Sequence, residues 1–138
     1  MIAVDSNVLA YLLIDGGRTT EARLLLERDP DWHSDAFALV ELTNILATTV
    51  RVGHLDISRA TIALAEAQAV IDAGLHAVAH AEALTLANRF RVSAYDARYL
   101  GVALALGVPL VSEDRRLRRA APDLTQSLAE ALSAGGPS

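Results

Sequence analysis

The sequence predicts an α/β fold of three layers, in which helices flank a mostly parallel central sheet. Two observations predict it: short, β-branched apolar runs alternate with longer segments of helical periodicity. Such alternation is typical of strand–helix–strand units, whose strands pair in parallel. The 138 residues suffice for a single domain. We place this domain at residues 1–132 and predict a disordered tail at residues 133–138.

The first quarter of the chain contains two strands and two helices. A buried strand is predicted at residues 2–4, where three apolar residues stop at polar, turn-forming ones. Apolar spacing of three and four residues then predicts helices at residues 8–13 and 20–28. The first helix ends at an Asp-Gly-Gly breaker and the second at Pro30. A second short strand is predicted at residues 32–34.

Two long helical patterns occupy the middle of the chain, at residues 36–52 and 58–73. The first of them ends at a glycine. For the second, Ser58 is the expected N-cap and Gly74 the expected C-cap. An apolar run at residues 75–79 then predicts a third strand.

The last part of the chain repeats the alternation. Helices are predicted at residues 80–90 and 95–106, and Gly107 stops the second. A strand at residues 109–111 and a short basic helix follow. Beyond them, the segment PDLTQSLAEAL lacks the apolar strand expected at the sheet edge.

Composition excludes several classes of protein. There is no cysteine, which excludes disulfides and thiolate metal sites and fits a reducing compartment. The N-terminus has no basic region of the kind that begins a signal peptide. The longest apolar stretch, residues 102–111, is too short to cross a membrane. We therefore expect a soluble, cytoplasmic protein that does not associate with membranes.

The net charge of −5 argues mildly against non-specific nucleic-acid binding by the whole surface.

Two carboxylates follow predicted strands directly. Asp5 comes after the first strand, and Asp114 comes shortly after the strand at residues 109–111. In open α/β sheets, ligands bind outside the carboxyl ends of the strands, so both acids are expected at that edge. Each acid also has a purely structural alternative near a helix N-terminus. The competing caps are Ser6 or Asn7 at Asp5, and Ser112 at Asp114.

Two further acids lie on predicted helices. Glu41, in FALVELTNIL, shares a helix face that should be buried, and burying an unpaired carboxylate is costly. Its structural alternative is a helix-edge position paired with an arginine. Asp96 opens the helix that leads to the last apolar strand. There, Ser93 and Asp96 have the spacing of a capping box, which by itself is the better explanation of that acid.

Convergence of these four acids would make a site for a hard cation, Mg²⁺ or Mn²⁺. Two carboxylates about 4 Å apart repel each other by roughly 4 kcal/mol at an effective dielectric constant of 20. Four clustered acids would therefore require a cation, and such ions activate water for displacement at phosphorus. A basic segment adjoins Asp114 and contains four arginines: Arg115, Arg116, Arg118 and Arg119. At helical spacing Arg115 reaches Arg118 and Arg119, which gives one guanidinium face. These arginines could hold the phosphates of a polynucleotide, or they could form a solvated helix end.

With these motifs the sequence resembles the PIN-domain family, and within it the VapC-type toxins of bacterial toxin–antitoxin pairs. The resemblance rests on VDSNVLAYLL, on ALVELTNIL and on the run SAYDARYLGVALALGVPLVSEDRRL. It implies a PIN-like fold and a metal-dependent endoribonuclease activity. It also implies an RNA substrate, a cognate antitoxin and a homodimer.

The resemblance assigns metal binding and catalysis to four residues: Asp5, Glu41, Asp96 and Asp114. It places Asn7 and Ser112 as polar helpers beside the site, although threonine is usual at the second position. Glu113 adds a second acid next to Asp114, and register with the family pattern favours Asp114 as the ligand.

Two other functions are compatible with parts of the pattern. A catalytically inactive PIN-like module could bind RNA or protein, but four mutually repelling acids would serve no purpose in it. A Mg²⁺-dependent phosphatase could use Asp5 as its nucleophile. Such enzymes usually carry a second acid two residues on, where this chain has Asn7, and a lysine, which the chain lacks entirely.

Overall fold

A computed structural model of the chain describes residues 1–134. Its centre is a sheet of five strands, all of them parallel, in the order β3-β2-β1-β4-β5. The strands are β1 (Ile2–Val4), β2 (Trp32–Asp35), β3 (Leu75–His76), β4 (Leu110–Val111) and β5 (Thr125–Gln126). The parallel α/β sheet predicted from the alternation of apolar runs is confirmed.

Eight helices flank the sheet within the described residues. They are α1 (Ser6–Leu13), α2 (Thr19–Arg28), α3 (Phe37–Arg51), α4 (Ile57–Ile71), α5 (His80–Phe90), α6 (Ala94–Leu106), α7 (Arg115–Ala120) and α8 (Leu128–Ala134). Helix α6 packs on the central strands with α5 against it, while α1, α3 and α4 pack together as the other helical layer. None of the helices in this part of the chain is both long and apolar enough to cross a membrane.

The core lies between the helices and the sheet. The central strand β1 is buried along its whole length, as expected for a strand with a neighbour on either side. Leu9, Leu42 and Leu100 are fully buried, one from each of α1, α3 and α6. This packing fixes the ends of β1 and of the helices that begin beside it.

Helix α4 begins earlier than predicted. Its N-cap is Asp56, whose Oδ1 accepts a hydrogen bond from the amide of Arg59 at 2.8 Å, so the expected cap Ser58 lies inside the helix. At the other end a 3-10 turn, Asp72–Gly74, follows the helix. A Cβ at Gly74 would come within 2.1 Å of the Trp32 carbonyl oxygen. Glycine is needed there because the turn presses on β2, and it does not act as a C-cap of α4.

The C-terminal part of the chain corrects two expectations. A fifth strand, Thr125–Gln126, pairs with β4 although it is not apolar, and the amide of Ser112 bonds to the carbonyl of Gln126 at 2.9 Å. Helix α8 includes residues 133 and 134, which the sequence assigned to the tail. The remainder of that predicted tail, residues 135–138, lies outside the described residues.

Candidate active site

Asp5 occupies the carboxyl end of the central strand and is only 5% exposed. Its Oδ1 accepts a hydrogen bond from the amide of Val8 at 3.1 Å, which makes Asp5 itself the N-cap of α1. Ser6, the competing cap, is buried within the first turn. Capping thus uses one carboxylate oxygen and holds the other at the end of β1.

The neighbouring strand brings a second polar residue to the same point. Val4 pairs with Val111, so Asp5 and Ser112 follow the two strands side by side. Ser112 is fully buried, and its Oγ accepts the amide of Asp114 at 3.1 Å. The strand order also reverses between β1 and β4, which is the place where open α/β sheets bind ligands.

Asp96 and Asp114 meet at this edge from two helix starts. Ser93 caps α6 by accepting the amide of Asp96 at 3.0 Å, which is one half of the predicted capping box. The reciprocal bond from the Ser93 amide to the Asp96 carboxylate does not form among the described residues, so that carboxylate stays available. Asp114 caps α7 with Oδ1 alone, which accepts the amides of Arg116 and Leu117. Both acids line one cavity of about 230 Å³.

The three carboxylates act on one another electrostatically. Burial raises the pKa of Asp5 to about 6, and the negative charges of Asp96 and Asp114 add to the rise. Hydrogen bonds from Ser112 and from the Val8 amide oppose it. Asp5 is therefore a buried acid whose ionised form is disfavoured by its surroundings, and a nearby cation would reverse that balance.

The pKa of Asp96 is also raised above its ordinary value. Partial burial raises its pKa, and the charge of Asp114 raises it further. A hydrogen bond with Ser93 and the charge of Arg116 lower it. The arginine thus offsets part of the repulsion between the two acids.

Glu41 lines a different cavity from the one that Asp96 and Asp114 line. Tyr99, on α6, donates a hydrogen bond from its phenol to Glu41 Oε1. Burial, followed by this hydrogen bond, raises the pKa of Tyr99 above its usual value, so the phenol stays protonated as a donor. The partner of Glu41 is therefore a tyrosine and not the arginine considered from sequence. Exposed Asn7 lines the same groove as Glu41.

The donor chemistry of Asp5, Asp96 and Asp114 fits a hard cation such as Mg²⁺, since all the available ligands are carboxylate oxygens. Their geometry fits it only in part. Among residues 1–134, no three His, Cys, Asp or Glu side chains converge closely enough to enclose an ion. A shared ion would require the carboxylates to close on one another, with Asp5 fixed by its cap.

Glu113, the neighbour of Asp114, has structural partners. One oxygen pairs with Arg18, and the other accepts hydrogen bonds from Arg118 at 3.3 Å and from the Leu128 amide at 3.0 Å. Its side chain is only 10% exposed. Glu113 therefore ties β4 to the start of α2 and to α8, while Asp114 faces the cavity.

The arginines of α7 do not form one uniform face. Arg118 turns inward to Glu113 and to the carbonyl of Ser112, and Arg119 donates to the carbonyl of Arg115 at 3.3 Å. Of the predicted phosphate contacts Arg115, Arg116 and Arg119, only Arg116 lines the cavity of Asp96 and Asp114.

Sequence reasoning missed another arginine of that cavity, Arg91. Arg91 ends α5 with φ +57°, a left-handed conformation in which glycine is usual. The only sign of this position in the sequence is that no glycine follows the predicted helix at residues 80–90.

Comparison with known proteins agrees with this architecture. The profile described as "PIN domain" matches residues 2–122. The chain is 29% identical over 126 residues to a protein named ribonuclease VapC3 from Pyrobaculum aerophilum, an alignment that spans 89% of the chain and 96% of that relative.

Solved structures resemble the fold over almost its full length. The crystal structure of PAE2754 from Pyrobaculum aerophilum superimposes with a TM-score of 0.77 at 21% identity, covering 97% of this chain and 88% of the other. A toxin–antitoxin complex from Klebsiella pneumoniae gives 0.65 at 17% identity, covering 93% and 98%. The crystal structure of FitAcB from Neisseria gonorrhoeae gives 0.67 at 16%, covering 94% and 99%. With a family profile matched over most of its length, this chain belongs to the PIN-domain family.

Proposed function

We propose that this protein is an endoribonuclease that depends on Mg²⁺ or Mn²⁺ and acts as the toxin of a toxin–antitoxin pair. The observation that carries the proposal is the position of Asp5, buried at the end of the central strand and facing Asp96 and Asp114. The relative named ribonuclease VapC3 supports a ribonuclease activity. The solved toxin–antitoxin complex of the same fold supports an antitoxin partner.

In this mechanism Asp5, Asp96 and Asp114 hold the metal. When bound, the divalent ion supplies positive charge to the phosphoryl oxygens and acidifies a water molecule. Glu41, oriented by Tyr99, accepts a proton from the attacking water. Ser112 follows the strand next to Asp5 and holds the backbone of Asp114 in place.

The RNA substrate binds on the side of the site where the arginines lie. Arg91 and Arg116 line the cavity that Asp96 and Asp114 also line. A guanidinium group can donate two parallel hydrogen bonds to the oxygens of one phosphate. We assign the binding of the RNA backbone phosphates to these two arginines. Arg115, which begins α7, and Arg119, in its last turn, serve as weaker contacts.

The family resemblance adds a homodimer and action in the cytoplasm to this proposal. Co-expression with the neighbouring upstream gene product and sedimentation of the purified protein test the partner and the oligomeric state.

An inactive binding module is the second candidate. It is favoured by one observation: within residues 1–134, no three potential ligands converge as they stand. Such a module would bind RNA or protein without cleaving it.

Incubation of purified protein with RNA separates the two candidates. We expect cleavage with Mg²⁺ or Mn²⁺, no cleavage with EDTA, and no cleavage by Asp5→Asn, which retains the helix cap but loses the charge. Equal cleavage in all three conditions would overturn the nuclease assignment. RNA binding without cleavage in any of them would favour the inactive module.

A further inference from the structure

We propose that the groove between α1, α3 and the start of α6 is a subsite for one unpaired base of single-stranded RNA. In this subsite Tyr95 stacks on the base and Asn44 hydrogen-bonds to the base edge. The inference rests on the proposed ribonuclease function and names the form of its substrate. It places base selection on helices that border the acidic site.

The groove is a mixed polar and apolar cavity of about 400 Å³, within the usual size of small-ligand sites. Its lining consists of Ser6, Asn7, Phe37, Val40, Glu41, Asn44, Ile45 and Tyr95. Glu41 thus belongs both to this groove and to the proposed reaction centre. A nucleotide in this groove would therefore lie directly beside Glu41.

An aromatic pair forms one wall of the groove. The rings of Phe37 and Tyr95 stack with their centroids 5.3 Å apart and their planes 18° apart. Tyr95 remains 59% exposed, although it is one of the few large aromatic side chains of the chain. Single-stranded RNA is commonly bound by stacking its bases on such exposed rings.

Both rings are held by well-fixed helix starts. The amide of Phe37 donates to the buried carboxylate of Asp35 at 2.8 Å, and the second oxygen of Asp35 accepts the Val78 amide at 3.3 Å. Tyr95 lies in the first turn of α6, which Ser93 caps. A platform that is rigid before binding loses little conformational freedom when a base stacks on it.

Two side-chain amides complete the chemistry of a base site. Asn44 lies one turn after Glu41 on α3, and Asn7 lies at the start of α1. Each amide offers both a donor and an acceptor, which matches the Watson–Crick edge of an unpaired base. A base in a duplex has this edge occupied, so the subsite selects single-stranded RNA.

The small size of the groove favours a nucleobase over a protein partner. Stable protein interfaces bury about 800 Å² on each side, an area that extends well beyond a single groove of this size. A protein partner on this face is the alternative, and it predicts that Tyr95→Ala changes neither the quenching nor the RNA affinity measured below.

The test uses a short single-stranded RNA that carries 2-aminopurine, whose fluorescence is quenched by stacking, and the cleavage-blocked Asp5→Asn protein. We expect quenching by this parent variant. Addition of Tyr95→Ala should restore the fluorescence and weaken binding about tenfold, whereas Tyr95→Phe should keep both within about twofold. Asn44→Ala should reduce discrimination among otherwise identical oligonucleotides that differ in one base. Leu84→Ala, which changes an exposed side chain on α5, is the matched control.

The inference is overturned if Tyr95→Ala behaves like Leu84→Ala, or if the parent variant does not quench the probe. Its failure is distinguishable from failure of the proposed function. A wild-type protein that cleaves RNA with Mg²⁺ while Tyr95→Ala changes neither quenching nor affinity refutes the subsite alone. A wild-type protein that never cleaves RNA refutes the nuclease, whatever the probe reports.

Discussion

Tyr99 donates its phenolic hydrogen bond to Glu41 and thereby joins helix α6 to helix α3 beside the carboxyl end of the central strand. Tyr99 is only 2% exposed, so neither water nor another side chain readily replaces it. The contact explains how a carboxylate is accommodated on a largely apolar helix. It also fixes the direction of the acid that we place next to the attacking water.

Tyr99→Phe should lower the free energy of unfolding by about 2 kcal/mol, because hydrogen bonds to charged groups contribute about 1.5–3 kcal/mol. It should also slow RNA cleavage about tenfold while leaving KM nearly unchanged, since Glu41 loses its orientation. Urea denaturation and single-turnover cleavage measure the two effects. Tyr11→Phe is the control, because within the described residues the Tyr11 hydroxyl makes no hydrogen bond. Equal behaviour of the two variants would contradict the role of Tyr99.

Asp5 should make the metal-free protein less stable as the pH rises. Its pKa is higher in the folded protein, about 6, than its ordinary value of 3.8, so folding takes up protons between these values. The stabilisation is complete below about pH 4 and is lost as the pH rises through about 6. The difference of about two units corresponds to roughly 3 kcal/mol.

Asp5→Asn removes this dependence. In EDTA, wild type should lose roughly 2–3 kcal/mol of its free energy of unfolding, relative to Asp5→Asn, as the pH rises from 4 to 7. Thermal melts of both proteins across that range provide the measurement. The control is Asp15→Asn, a carboxylate that is 92% exposed and distant from the site. A pH-independent difference between wild type and Asp5→Asn would show that Asp5 is not a strained carboxylate.

Arg91→Gly should separate stability from RNA binding. Glycine adopts the left-handed conformation of residue 91 without strain, so the free energy of unfolding should rise by about 1 kcal/mol. RNA affinity should fall. The slope of log affinity against log salt concentration should decrease in magnitude by about one, as expected for the loss of one phosphate contact. Fluorescence anisotropy at several salt concentrations measures both. Arg59→Ala, which changes an exposed side chain on α4, should leave binding unchanged. Unaltered binding by Arg91→Gly would remove Arg91 from the substrate path.

Glu113 and Asp114 should give opposite results although they are adjacent. Glu113→Gln breaks ion pairs with Arg18 and Arg118, and we expect a loss of about 2 kcal/mol with Mn²⁺ affinity preserved. Asp114→Asn keeps a good helix cap, so stability should change little while Mn²⁺ affinity falls. Denaturation and calorimetry on the two variants decide the assignment. Loss of Mn²⁺ binding in Glu113→Gln would make Glu113 the ligand.

The sequence predicted the site acids at the sheet edge because the position of each follows from local rules. Asp5 and Asp114 come after apolar strands of a parallel sheet, and Asp96 follows a recognisable capping serine. The cap and the candidate ligand proved to be the same carboxylate at Asp5 and at Asp114. No choice between these roles was needed, since a cap occupies only one oxygen.

The residues that the sequence did not indicate depend on tertiary contacts. Tyr99 reaches Glu41 across 58 residues of chain, and Glu113 finds Arg18 on a distant helix. Strand β5 is polar and exists because β4 offers it hydrogen-bond partners, which no local pattern reveals. Arg91 adopts a conformation that its residue type disfavours, so packing overrides propensity there.

Calorimetric titration of the purified protein with Mn²⁺ at pH 7 tests the central claim, that Asp5, Asp96 and Asp114 bind a divalent cation together. We predict saturable binding by wild type and by Glu113→Gln, and its loss in Asp5→Asn, Asp96→Asn and Asp114→Asn. Binding that survives in all three asparagine variants, or no binding by the folded wild-type protein, would contradict the account.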